Sequence, residues 1–195
     1  MSWAYTIVYS VLRILVTPVY PMRFLGRENI PDGAAIICAN HTSSSDPVLV
    51  AFALRRKAFP RFMAKEELLK TPLLGPVLKA AGVFFVERQG SDIGAVRTAM
   101  RHLKSGNKVM IFPEGTRVSE GEAIAAKNGA IRLAMKMNVP IVPIWVPTKK
   151  RKFRRDHVII GEPYYIENSA RADFDLLSKQ LMERINGLGT ALSRV

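Results

Sequence analysis

The fold is decided by the stretch Ala34-Ala35-Ile36-Ile37-Cys38-Ala39-Asn40-His41-Thr42-Ser43-Ser44-Ser45-Asp46-Pro47. Residues 34–39 are apolar, short and bounded by turn residues, which predicts a buried strand. The segment from Pro47 through residue 54 predicts a helix, because serines cap helices well and proline fits the first turn. We therefore expect His41 where a strand gives way to a helix, which is where open α/β sheets usually bind their ligands.

His41 and Asp46 are the candidate catalytic residues, five positions apart in this turn. A tight turn lets the Asp46 carboxylate accept the Nδ1–H of His41, which leaves Nε2 as an outward-facing base. The chain contains no Gly-x-Ser-x-Gly nucleophile motif. The pair therefore indicates a base that deprotonates a substrate hydroxyl. The alternative is a polar turn that only caps the helix.

Further apolar runs predict strands that alternate with helices along the chain. The predicted strands are residues 19–25, 61–65, 82–88, 109–112, 139–146 and 158–163, and the predicted helices include residues 66–70, 92–104, 130–137 and 173–185. Such alternation is typical of an α/β fold with a mostly parallel, mixed sheet flanked by helices. We expect residues 21–195 to form this domain and residues 1–20 to form a separate N-terminal helix.

Charged and turn residues follow two more of the predicted strands. Arg88 ends the strand at 82–88, while Glu114, Gly115 and Arg117 follow the strand at 109–112. Glycine lets backbone amides approach a ligand, and arginine offers a planar fork for phosphate or carboxylate. Glu114 can accept hydrogen bonds from hydroxyl groups or orient Arg117; a plain loop salt bridge is the alternative. Because parallel strands end at one sheet edge, these side chains are expected to converge with His41.

The composition indicates an anionic partner. The chain has 29 Lys and Arg against 16 Asp and Glu, a net charge of +13, and a single cysteine that excludes an internal disulfide. It lacks zinc-finger spacing, RNP-like aromatic motifs and basic heptads, so we expect no nucleic-acid partner. The basic run at residues 149–155 stands between two predicted strands and is expected to be a solvated hairpin tip that touches an anionic membrane. No spacing of His and Cys indicates a metal site.

The N-terminal segment is helical in pattern and apolar almost all round. Residues 3–16 span about 21 Å as a helix, which is shorter than the hydrocarbon core of a bilayer, and Pro18 is expected to end it. It lies in one leaflet with Trp3, Tyr5 and Tyr9 near the headgroups and Arg13 reaching outward, or else it packs on the domain. The first alternative predicts peripheral or monotopic attachment to the cytoplasmic face of the cell membrane.

Four ordered blocks of sequence resemble the glycerolipid acyltransferases, and among them the bacterial 1-acylglycerol-3-phosphate acyltransferases. The blocks are Asn40-His41-x-Ser43-x-x-Asp46-Pro47, Gly82-x-x-Phe85-x-x-Arg88, Phe112-Pro113-Glu114-Gly115-Thr116-Arg117 and Val139-Pro140-Ile141-Val142-Pro143. Glu87 and Val118 are departures from the residues that many relatives have, and they bear on the choice of acceptor more than on the reaction.

The resemblance implies that His41 is the general base and that Asp46 orients it. The 2-hydroxyl of lysophosphatidic acid would attack the thioester of acyl-CoA or acyl carrier protein, with no metal and no other cofactor. The glycerol phosphate would be held by the remaining block residues, namely Arg88, Glu114, Gly115, Thr116 and Arg117.

Three alternatives remain open on the sequence alone. The acceptor can be another lysophospholipid. Cys38 can carry the acyl group as a nucleophile paired with His41, although its apolar neighbours indicate a buried and inert thiol. The chain can also be a basic protein that binds anionic lipid without catalysis, which predicts strongly salt-dependent binding and no turnover.

Overall fold

The computed structural model describes residues 3–72, 74–86, 93–115, 127–167 and 172–192. This part of the chain forms a sheet of seven strands in the order β1-β7-β6-β2-β5-β3-β4. All neighbouring strands are parallel except β6 and β7. The strands are β1 (Met22–Leu25), β2 (Ala35–Ala39), β3 (Arg61–Lys65), β4 (Phe84–Val86), β5 (Lys108–Ile111), β6 (Ile141–Trp145) and β7 (Asp156–Ile160).

Helices connect the strands, as the alternating pattern predicts. They are α1 (Trp3–Val19), α2 (Asp46–Ala58), α3 (Leu74–Ala80), α4 (Ile93–Lys104), α5 (Gly129–Met137) and α6 (Phe174–Leu192), with short 3-10 helices at Arg27–Asn29 and Glu66–Lys70. The predicted α/β class, with a mostly parallel mixed sheet flanked by helices, is confirmed. Residues 66–70 form a 3-10 helix, and the final helix is longer than its predicted end at residue 185.

The central strand β2 supplies side chains to both cores of the molecule. Ala35, Ile37 and Ala39 pack towards α2 and α1 on one face of the sheet, whereas Ile36 and Cys38 pack towards α4, α5 and α6 on the other. All five are fully buried, because a parallel strand covered on both faces has no solvent side. Each buried isoleucine contributes about 1.5–3 kcal/mol relative to an exposed one. This burial fixes the end of β2, where His41 follows.

Helix α1 packs on the domain with one face and exposes the other. Tyr5 is 3% exposed and packs against Phe59 with the two rings tilted and their centroids 4.2 Å apart. Tyr9 meets Phe52 edge-on, and Arg13 lies over the same ring. The placement of Tyr5, Tyr9 and Arg13 at lipid headgroups is therefore wrong: aromatic rings next to an apolar sheet face gain more by burial there.

The C-terminal limit predicted for α1 is also wrong, since Pro18 lies within the helix. Proline removes only one intrahelical hydrogen bond there, and the next turn still closes between Tyr20 N and Val16 O at 2.8 Å. Within the residues that the structure describes, no helix has both the length and the apolar character needed to cross a membrane.

Helix α2 begins beside the predicted site and is interrupted near its other end. Ser45 occupies the N-cap position with Pro47 in the first turn, as predicted. Arg55 has φ 62° and ψ 163°, which breaks the helical path. The Arg27 side chain donates to the carbonyls of Phe52 and Ala53 at this break, at 2.8 and 3.1 Å. Arginine thus satisfies carbonyls that the interrupted helix leaves free.

Candidate active site

His41 is held at the carboxyl end of β2 by a clasp between two strand ends. The side chain of Asn40 donates to Val146 O and accepts from Val146 N, both at 2.8 Å. Asn40 is buried, so both hydrogen bonds are shielded from water. The clasp joins the segment after β2 to the segment after β6 and fixes where the turn of His41 begins.

His41 and Asp46 form the predicted pair. Nδ1 of His41 lies 3.1 Å from Oδ2 of Asp46, which also accepts the backbone N–H groups of Thr42 and Ser43 at 2.7 Å each. An ionised carboxylate only accepts, so Nδ1 carries the proton and Nε2 is left with its lone pair. The imidazole is 17% exposed, whereas the carboxylate is fully buried. Nδ1 of His41 therefore faces the buried carboxylate, and Nε2 is the ring nitrogen that can act as a base.

The second carboxylate oxygen of Asp46 meets Lys150. Nζ of Lys150 lies 2.7 Å from Oδ1, and the lysine side chain is 6% exposed. Burial alone would raise the pKa of Asp46. The hydrogen bonds from His41, Lys150 and the backbone of Ser43, together with the lysine charge, outweigh it and hold the pKa below its usual value. Asp46 is thus kept as a carboxylate inside the protein.

Glu114 and Phe112 hold His41 from the neighbouring strand β5. The Phe112 ring stacks on the imidazole with centroids 4.0 Å apart and an interplanar angle of 19°. Oε2 of Glu114 accepts the backbone N–H of His41 at 2.7 Å. Burial raises the pKa of Glu114 to about 7, opposed by that hydrogen bond and assisted by the charge of Asp46. Glu114 positions the His41 backbone, a role that sequence reasoning did not assign to it.

Gly115 forms the predicted turn beside Glu114. Its φ of 67° lies in the left-handed region, and its N–H donates to Phe112 O at 3.0 Å. The Lys127 side chain packs on this turn: a Cβ on Gly115 would stand 3.4 Å from its ammonium nitrogen. A positive charge therefore lies next to the turn.

The structure brings together four of the seven predicted site residues, namely His41, Asp46, Glu114 and Gly115. The other three, Arg88, Thr116 and Arg117, lie outside the described residues, so their predicted role in holding phosphate stays a prediction.

Lys150 and Lys127 are the cations that sequence reasoning missed at the site. The sequence predicts a solvated hairpin tip at residues 149–155, and Arg151, Lys152, Arg154 and Arg155 are exposed. For Lys150 the interpretation is wrong, because its ammonium turns inward to a buried carboxylate. The signal available in the sequence is its position: Lys150 follows β6, which ends at the same sheet edge as β2.

Cys38 lies three residues before His41 but does not contact solvent. It points to the opposite core from Ala39 and is fully buried. Burial raises the pKa of its thiol far above the ordinary value, so the reactive thiolate is disfavoured. This geometry gives no support to a cysteine nucleophile. Among the described residues, no three His, Cys, Asp or Glu side chains are grouped as metal ligands.

A cavity of about 750 Å³ opens at the opposite edge of the sheet. Gly33 and Lys108, at the amino ends of β2 and β5, are among its lining residues, whereas His41 and Glu114 follow the carboxyl ends of these strands. The candidate active site is therefore assigned from the chemistry of its side chains and from its position at the carboxyl ends of the strands, where open α/β proteins bind ligands.

The site and fold define an α/β enzyme in which a His–Asp base at the carboxyl edge of a sheet can activate a hydroxyl group. Comparison with known families agrees with this class: the sequence profile of the family described as Acyltransferase matches residues 21–147. The chain belongs to this acyltransferase family.

Individual relatives extend the similarity over most of the chain. It is 28% identical over 191 residues to the 1-acyl-sn-glycerol-3-phosphate acyltransferase of Bacillus subtilis (strain 168), covering 95% of this chain and 91% of that protein. It is 36% identical over 168 residues to the protein of the same name from Borreliella burgdorferi (strain ATCC 35210 / DSM 4680 / CIP 102532 / B31), covering 84% of this chain and 66% of that one.

A solved structure supports the fold assignment. The crystal structure of the 1-acyl-sn-glycerophosphate (LPA) acyltransferase PlsC from Thermotoga maritima matches with a TM-score of 0.73 and 27% sequence identity. The match covers 98% of this chain and 80% of that one. The predicted resemblance to the glycerolipid acyltransferases is thus confirmed.

Proposed function

We propose that this enzyme transfers a fatty acyl group from a thioester to the 2-hydroxyl of 1-acylglycerol-3-phosphate, which yields phosphatidic acid for phospholipid synthesis. The observation that carries the proposal is the His41–Asp46 pair, in which Nδ1 of His41 faces the carboxylate and leaves Nε2 as the basic nitrogen. The thiol of Cys38 is buried and does not supply a nucleophile. Two bacterial relatives are 1-acyl-sn-glycerol-3-phosphate acyltransferases, which supports the choice of acceptor.

In the first step, Nε2 of His41 removes the proton of the acceptor hydroxyl while the oxygen attacks the thioester carbonyl carbon. The new C–O bond gives a tetrahedral oxyanion, and His41 becomes an imidazolium. Asp46 stabilises that cation through Nδ1, at the distance of 3.1 Å already present. The stacked ring of Phe112 keeps the imidazole plane fixed during the transfer.

In the second step, the tetrahedral intermediate collapses. The C–S bond breaks, the thiolate leaves, and the proton on Nε2 passes to the sulfur, which returns His41 to its neutral form. The products are the ester and a free thiol. The step balances without a metal or an additional cofactor, and the acyl donor is a co-substrate.

The positive charge around the site supports a phosphate-bearing acceptor. The ammonium of Lys127 lies against the Gly115 turn, and the family resemblance implies that Arg88, Thr116 and Arg117 bind the same phosphate. The net charge of +13 suits both acyl-CoA and an acidic acyl carrier protein as donors. Both donors remain part of the proposal.

An exposed apolar face on α1 supports attachment to a membrane surface. Trp3, Ile14 and Leu15 are 78, 72 and 63% exposed on this helix. The end of α1 joins the basic loop through a hydrogen bond from Phe153 N to Val19 O at 2.8 Å, and Phe153 is 75% exposed. Apolar side chains beside exposed Lys and Arg fit an anionic lipid surface. We place the enzyme peripherally on the cytoplasmic face of the cell membrane.

The experiment that tests the substrate assignment is an acyl-transfer assay in mixed micelles. Lysophosphatidic acid, lysophosphatidylethanolamine and monoacylglycerol are offered separately, each with acyl-CoA or with acyl carrier protein. We expect the highest kcat/KM with lysophosphatidic acid. Monoacylglycerol lacks the phosphate, and in lysophosphatidylethanolamine the head group esterifies one of the phosphate oxygens that would otherwise ionise.

Three outcomes of this assay would change the assignment. Preferred turnover of lysophosphatidylethanolamine would move the acceptor to another lysophospholipid. Salt-sensitive lipid binding without turnover of any acceptor would contradict an enzymatic function. Equal turnover of monoacylglycerol and lysophosphatidic acid would contradict recognition of the phosphate.

A further inference from the structure

Lys150 differs from the other residues of the basic loop in where its charge lies. Arg151 and Lys152 are exposed, whereas the side chain of Lys150 is 6% exposed. A buried ammonium is strongly unfavourable unless it is paired and hydrogen-bonded. Its partners therefore explain why the loop folds inward at this residue.

The ammonium of Lys150 has three oxygen neighbours, one in an ion pair and two that accept hydrogen bonds. They are Oδ1 of Asp46 at 2.7 Å, the carbonyl of Pro147 at 2.8 Å and Oγ1 of Thr42 at 3.2 Å. Two of these partners belong to the turn that carries His41. The lysine consequently ties the loop after β6 to the catalytic turn, next to the clasp made by Asn40.

The two oxygens of Asp46 have separate partners. Oδ2 accepts from His41 and from two backbone amides, and Oδ1 faces Lys150. If the lysine were absent, Oδ1 would be a buried oxygen with half the carboxylate charge and no cation beside it. The carboxyl group could then take a proton there or rotate away from Nδ1.

We propose that Lys150 is a positioning residue for the reaction: its ammonium keeps the buried Asp46 carboxylate ionised and holds it in the rotamer that faces Nδ1 of His41. In this role Lys150 acts through Asp46 and not through a contact with the substrate. The inference rests on the proposed function only where it uses the rate of acyl transfer.

The charges that face Asp46 come from three segments. The turn after β2 supplies His41 and the amides of Thr42 and Ser43, the loop after β6 supplies Lys150, and the segment after β5 supplies the carboxyl group of Glu114. Burial raises the tendency of Asp46 to take a proton, whereas Lys150 and the hydrogen bonds from His41 and Ser43 lower it. Among these described groups, removal of Lys150 leaves the hydrogen bonds of the turn alone to oppose the effect of burial.

The sign of the pH effect follows from the lowered pKa of Asp46. Its ionised form is present above that pKa and is lost as pH falls through it. Without the lysine, protonation of Asp46 takes place at higher pH, and a protonated Asp46 no longer holds the required tautomer of His41. Loss of the ammonium also removes a positive charge beside the His41–Asp46 pair, which makes it easier for the pair to take up a proton as pH falls. The acid limb of the activity profile therefore moves to higher pH.

The test compares Lys150→Met and Lys150→Arg with the wild type. We expect Lys150→Met to shift the acid limb of kcat/KM upward by about one pH unit or more. Lys150→Arg keeps the charge and restores the limb towards its wild-type position, with a lower kcat because the guanidinium has a different shape. Lys136→Met removes one exposed lysine from α5 and is expected to leave the profile unchanged.

A second readout does not depend on any substrate. The 13Cγ resonance of Asp46, assigned by its loss in Asp46→Asn, reports ionisation of the carboxyl group directly. Its titration midpoint is expected to move to higher pH in Lys150→Met. If that variant does not fold, Lys150→Gln, which keeps N–H donors and lacks the charge, takes its place in both measurements.

The two readouts separate this inference from the proposed function. Wild-type values of both the acid limb and the Asp46 titration in Lys150→Met would overturn the role of Lys150, even with full acyl transfer. A shifted Asp46 titration in an enzyme that does not acylate lysophosphatidic acid would support the role of Lys150 and contradict the proposed acceptor.

Discussion

Asp46 is the residue on which the local geometry of the site depends. One of its oxygens accepts from His41 and from the amides of Thr42 and Ser43, and the other meets Lys150. The carboxylate therefore shapes the turn, neutralises a buried cation and orients the imidazole of His41. A side chain with these three roles has effects on both stability and activity.

Asp46→Ala is expected to lower the free energy of unfolding by about 3–5 kcal/mol, because it leaves a buried ammonium and two backbone amides without their partner. Urea denaturation measures this loss, and acyl transfer should fall by about 100-fold or more in the folded protein. Asp32→Ala removes an exposed carboxylate and serves as the control. Equal stability of the two variants would contradict the role of Asp46 in the turn.

Glu114→Gln is expected to make the protein more stable at alkaline pH while reducing its activity. Because burial raises the pKa of Glu114 to about 7, the folded protein holds a proton that the unfolded chain releases near its ordinary value. The wild type therefore loses stability as pH rises from about 4.5 to about 7, and glutamine removes this loss.

The gain in the free energy of unfolding for Glu114→Gln should grow as pH rises from about 4.5 to about 7 and reach about 1–3 kcal/mol above that range. The amide oxygen of glutamine can still accept the backbone N–H of His41, so the fold is retained. Thermal unfolding at a series of pH values measures the difference. A stability difference that does not change with pH would show that Glu114 is not the titrating group.

The two central site residues could be predicted from sequence, whereas for Lys150 the sequence predicts only the end of the sheet at which it lies. The spacing of His41 and Asp46 across a strand-to-helix turn allows few geometries, so the pair follows from local structure. Lys150 reaches Asp46 from 104 positions further along the chain, through the path of an irregular loop. A lysine in a basic run is usually solvated, and only the loop conformation reveals otherwise.

At the scale of elements, strand identities follow from sequence more closely than helix ends do. The fully apolar runs 34–39 and 139–146 are buried on both faces of a parallel sheet, so their hydrophobicity predicts them directly. Pro18 was expected to end α1 and does not, since a proline in the last turn costs a single hydrogen bond. The break of α2 at Arg55 has no local signal, because tertiary contacts of Arg27 stabilise it.

Arg55→Gly is expected to stabilise the protein by about 0.5–1 kcal/mol, because glycine adopts positive φ without steric cost. Arg56→Gly, one residue further along the same helix, is expected to destabilise by about 1 kcal/mol as an ordinary helical position. The two variants lose the same charge, so urea midpoints compare them cleanly. Changes in stability of the same sign in the two variants would contradict the break of helix α2 at Arg55.

Ile14→Glu is expected to weaken binding to vesicles that contain anionic lipid, with little change in thermal stability. The side chain is 72% exposed on the outer face of α1, so a charge there opposes insertion without disturbing packing. Vesicle co-sedimentation measures the loss. Tyr5→Ala, on the buried face, should instead lower the free energy of unfolding by about 2–4 kcal/mol.

Wild-type vesicle binding in Ile14→Glu would contradict membrane contact through α1. The same vesicles at higher ionic strength test the contribution of the basic loop, since exposed charges are screened within about 10 Å at 0.1 M salt.

At the scale of the whole molecule, the order of the strands brings the site together. Strands β2, β5 and β6 are neighbours and parallel, so His41, Glu114 and Lys150 follow strand ends at one edge. Alternation of strands and helices predicts that parallel arrangement, but strand order depends on packing between distant segments. The net charge of +13 and the exposed apolar face of α1 support the proposed contact with anionic lipid.

Acyl transfer to lysophosphatidic acid by His41→Gln tests the assignment of the base most directly. Glutamine can keep a hydrogen bond to Asp46 while lacking a basic nitrogen, and the assay is run with protein whose unfolding curve shows that it is folded. We predict that kcat falls by about 10²–10⁴-fold relative to the wild type. A kcat within a few-fold of the wild type would show that another group removes the proton.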